Sequence, residues 1–117
     1  MDGPETPLEE EVLALYREPV IGATYTNTYG EENIKNLVDK YHGLNENRMK
    51  EMLELVVRYS QSQDLGSSFI SVGVLHALGR RQEVEEAYRW AGGQEDEKSI
   101  TSHFDIGISI AEHFAHK

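Results

Sequence analysis

The chain has 117 residues, no cysteine, and 21 Asp and Glu against 11 Lys and Arg, for a net charge of -10. Without cysteine there are no disulfides and no thiol catalysis. The acidic balance argues against nucleic-acid binding, which needs a basic footprint to displace phosphate counterions. A field of this sign instead favours encounter with basic surfaces.

The length suits a single helical domain over residues 1–117, large enough to bury roughly two-thirds of the surface of the unfolded chain. Residues 1–5 are acidic and carry no basic or apolar leader pattern. No apolar run is long enough to span a bilayer. The expectation is a cytoplasmic protein with no membrane partner.

Pro7 followed by Leu8, Glu9, Glu10 and Glu11 reads as a helix start. Proline is tolerated in the first turn, and acids there complement the dipole. Pro19 ends or kinks this helix. Residues 20–30 are rich in Thr and Tyr. They read as a short extended piece or, with no second strand to pair, as a loop packed across the helices. Tyr25 and Tyr29 within it either anchor a partner or lock the loop onto the core.

Ile34, Leu37, Val38 and Tyr41 form one apolar stripe, predicting a helix over 31–42 with Glu31 and Glu32 in its first turn and Gly43 as its stop. Asn45 suits the N-cap of a third helix over 46–61, on which Met49, Met52, Leu53 and Val56 repeat the stripe as core filler. Residues 63–67 predict a turn, with Ser67 or Ser68 capping a fourth helix over 69–78. That helix is apolar nearly all round, through Phe69, Ile70, Val72, Val74, Leu75, Ala77 and Leu78, and so belongs at the centre of the fold. Gly73 admits a close neighbour, and Gly79 closes the helix.

A fifth helix over 82–91 presents Val84, Ala87, Tyr88 and Ala91 on one face. Trp90 lies off that face, either as a contact residue or packed under the last helix. Residues 92–98 read as a flexible acidic loop, and Ser99 or Thr101 as the cap of a last helix ending near His116. Its inward side is Ile100, Phe104, Gly107, Ile110, Ala111 and Phe114. The fold class is all-α: five to six short antiparallel helices stacked as a compact HEAT/armadillo-like helical bundle. No repeat of fixed period supports a longer solenoid.

Chemistry is sparse. His113 and His116 stand three apart, but two such ligands need others to hold a metal, and no metal or cofactor is expected. His76 reads as a satisfied core or hinge residue, and His103 beside Asp105 as structural. Gly92 and Gly93 lack the basic ending of a phosphate loop. No nucleophile has an activating neighbour, so the expectation is a binder and not an enzyme. The candidate partner-binding residues are Glu31, Glu32, Asp64, Glu95, Asp96 and Glu97, with Tyr25, Tyr29 and Trp90 as aromatic anchors.

The segments ELVVRYSQSQD at 54–64, VGVLHALGRRQEV at 72–84 and HFDIG at 103–107 resemble helical immunity proteins of bacterial polymorphic-toxin systems, including those of contact-dependent growth inhibition. The resemblance covers about the last two-thirds of the chain. It implies a protein that protects its producer by binding a toxin domain, often a basic nuclease. It assigns no interface residues. The competing readings are a helical-repeat adaptor for protein partners, and a small ligand-binding or enzymatic domain using His76 or His103.

Overall fold

The computed structural model describes residues 7–17 and 30–115, with only the backbone for Phe114 and Ala115. Six helices run through them: α1 (Leu8–Arg17), α2 (Glu31–His42), α3 (Glu46–Ser60), α4 (Leu65–Ala77), α5 (Arg81–Ala91) and α6 (Glu97–Ala115). No strand occurs among the described residues. The all-α reading holds. Pro19, the loop reading of 20–29 and the side chain of Phe114 lie outside the described residues.

Local signals account for many of the helix ends. The Pro7 carbonyl accepts the amides of Glu10 and Glu11, so α1 begins directly after the proline. Leu8, Val12 and Tyr16, four apart, form its buried face. Helix α2 has the bounds its stripe predicts. Gly30 precedes it at a φ of 93°, where a Cβ would lie 2.7 Å from the Phe69 ring, so both conformation and space require glycine. Asn45 caps α3 by accepting the Arg48 amide at 2.9 Å. At the end of α4, Gly79 takes a φ of 76°. The Arg80 amide then reaches the Leu75 carbonyl and the Gly79 amide that of His76, a Schellman closure.

Two starts differ from expectation. Helix α4 begins at Leu65, and Asp64 occupies the N-cap position expected of Ser67 or Ser68. The serine hydroxyls do other work: Ser67 donates to the Asp64 carboxylate, Ser68 to the Leu65 carbonyl and Ser71 to that of Ser67. Every residue from Ser68 to Leu75 is buried. A segment so enclosed must satisfy its amides within the helix, and that demand overrides the turn preference of Gly66 and Ser67. Helix α6 begins at Glu97, so Ser99 and Thr101 are interior. Thr101 bonds back to the Glu97 carbonyl, while the Ile100 amide reaches that of Asp96. Burial of Ile100, 2% exposed, draws this extra turn out of the acidic loop.

Helix α4 is the centre. It packs against α2, α3, α5 and α6, most extensively against α6. Phe69 meets His103 and His76 meets Glu112, so residue numbers rise together and α4 and α6 run parallel. Gly30 lies against Phe69 and Ile70, and Ile34 against Gly73, so α2 runs the same way. Helix α1 opposes them: Leu15 bonds Asn33, and Glu11 bonds Lys40. Short turns set α3 and α5 antiparallel to their neighbours.

A few polar side chains tie these layers together. Asn33, 4% exposed, donates its amide to the Leu15 carbonyl at 2.7 Å and so satisfies the C-terminal end of α1. The Tyr16 hydroxyl is buried against that of Ser71. Tyr16→Phe is expected to lower unfolding free energy by about 1 kcal/mol, the usual worth of one buried hydrogen bond. Ser71 keeps its bond to the Ser67 carbonyl, which limits the loss. Urea denaturation checks this; a loss comparable to a core truncation would mean the hydroxyl organises more than its own bond.

Candidate functional site

Because α2, α4 and α6 are parallel, their N-termini share one end of the bundle. That end is built from two turns. After α3, the Ser62 hydroxyl accepts the Asp64 amide, and Asp64 starts α4. After α5, the amides of Gly92, Gly93 and Gln94 fold back onto the carbonyls of Tyr88, Trp90 and Ala91, before α6 begins. Gln63 donates its amide to Gln94 Oε1 at 2.8 Å and links the two turns. Between them lies a cleft of about 240 Å³, with Gln63 and Leu65 on one side and Gln94, Glu95, Asp96 and Ile100 on the other.

The predicted acidic residues converge on this end. Glu95 and Asp96 line the cleft, Asp64 and Glu97 neighbour its lining residues in the chain, and all four are exposed. Glu31, half-buried, and Glu32, exposed, open α2 about one turn further along the bundle, level with Phe69. None of these six has an ion-pair partner among the described residues, although Lys35 and Lys98 stand within a turn of them in the sequence. Elsewhere among the described residues some acids pair, Glu11 with Lys40 at 2.7 Å, Glu83 with Arg80 at 3.1 Å and Glu9 with Arg58 at 3.8 Å, while others such as Glu10, Glu46 and Glu51 do not. The positive dipole ends of the helices hold the carboxylates at their starts in place of cations.

Trp90 is half-buried and packed against the core, one turn before Gln94, whose side-chain amide reaches the Trp90 carbonyl. Tyr25 and Tyr29 lie outside the described residues. The sequence pattern places Gln63 in a turn and Gln94 in an acidic loop without assigning either to the site. Their bond joins positions 31 apart, and no local pattern signals it.

Among the described residues the histidines do not form a constellation. His76 is not a core residue: it lies at the edge of α4, 35% exposed in its side chain, beside Glu112. His103 donates its Nδ1 proton to the Ser99 carbonyl at 2.8 Å. Asp105, two residues on, accepts from Tyr88, and no hydrogen bond joins it to His103. Among the described residues no group of three His, Asp or Glu could hold a metal. His116 lies outside them.

Among the described residues three phenols have raised pKa values. Burial pushes up Tyr16 against the opposing Ser71 bond. Burial, then the bond to Asp105 and its charge, push up Tyr88. Burial first, then the Glu9 carboxylate, push Tyr59 up to about 12. A phenol whose pKa is raised on folding stabilises the fold fully below its unfolded value of about 10, and that contribution is lost as pH rises through the folded value. Stability is therefore expected to fall between pH 10 and about 12. In a titration read at 295 nm, no more than three of the six tyrosines should ionise before the helical circular dichroism collapses. Ionisation of all six with the helices intact would contradict these environments.

Fold and site together define an all-α helical bundle with an acidic, cleft-bearing end. No protein-family model, curated protein or solved structure matches the chain. No helix among the described residues is long and apolar enough to cross a membrane.

Proposed function

We propose that this chain is an immunity-type binding protein, which neutralises a basic toxin domain such as a nuclease by laying its acidic end over the toxin's cationic cleft, without catalysing a reaction itself. The observation that carries the reading is the gathering of six carboxylates at the starts of α2, α4 and α6 without basic partners among the described residues. A nuclease cleft is positive because it receives phosphate, so an acidic end complements it, accelerates docking and can occlude or mimic the substrate. The resemblance at 54–64, 72–84 and 103–107 points the same way, and its first segment ends on Asp64 beside the cleft. Action inside the producing cell, where the toxin would otherwise strike, belongs to the same proposal.

The test is capture from the native cell on tagged protein at low salt, with elution by rising salt. The expected result is one basic domain whose activity the protein blocks, released as salt screens the contact. Capture of a partner held by apolar contacts and indifferent to salt would overturn this reading in favour of an adaptor.

A further inference from the structure

We draw no further inference here: the strongest candidate, the cleft between the α3–α4 and α5–α6 turns, belongs to the site already described and, beyond its acidic residues and two helix N-termini, holds nothing that names an occupant.

Discussion

Gly107→Ala is expected to destabilise the protein by about 2–3 kcal/mol, although alanine should gain about 1 kcal/mol in helix propensity. At this position α6 crosses α4 with backbone against backbone. An added Cβ would sit inside the van der Waals surface of the Phe69 carbonyl oxygen and within 3.3 Å of the Gly73 amide nitrogen. Neither atom is the end of a flexible side chain, so the two helices must separate. That separation loosens the most extensive helix contact in the bundle and the burial of Phe104, which is fully enclosed.

Gly73→Ala should cost less. Its Cβ would meet Ile34 Cδ1 at 2.6 Å, which can rotate away, and the Gly107 carbonyl at 2.9 Å, which cannot. Gly79→Ala is the control for conformation alone: nothing lies within 4 Å of its Cβ, and the φ of 76° sets a cost of about 1–2 kcal/mol. Urea midpoints of the three variants, at unchanged denaturant slope, order the effects. A Gly107→Ala protein as stable as the parent would mean that the helices do not approach this closely.

Reversing the charge of Glu95, Asp96 and Glu97 together to lysine is expected to slow association with the captured basic domain about 100-fold at low salt. All three are exposed and none anchors the core. The change moves net charge by +6, from -10 to -4. The matched control reverses Glu46, Glu51 and Glu54 on the exposed face of α3, with the same change in total charge. Association measured by stopped flow across a salt series separates the two. A large effect at the cleft and a small one on α3 supports docking at the acidic end. Equal slowing by both would mean that total charge alone drives encounter, and the proposed docking end would fall. Unchanged circular dichroism in both variants keeps the comparison about binding.

How much of the site was legible follows from what each residue depends on. The acids were found because charge and helix-start position are local properties, readable at Glu31, Glu32 and Asp64 one at a time. The start of α6 was missed by a few residues because the burial of Ile100, and not the capping chemistry of Ser99 or Thr101, decides it. The amide link from Gln63 to Gln94 was invisible because it exists only once two turns meet. Asn33 was passed over on a stripe of apolar residues, since its partner, the Leu15 carbonyl, lies on another helix.

The sequence by itself determined the helices, the caps at Gly43, Asn45 and Gly79 and the apolar centre at 69–75, because period, capping and burial propensity act within a few residues. Tertiary structure decided the rest: the parallel course of α2, α4 and α6, the glycine crossing at Gly73 and Gly107, and the convergence of separate acids on one end. Those outcomes depend on which surfaces fit together at close range, and complementarity between segments far apart in the chain leaves no local mark on either of them.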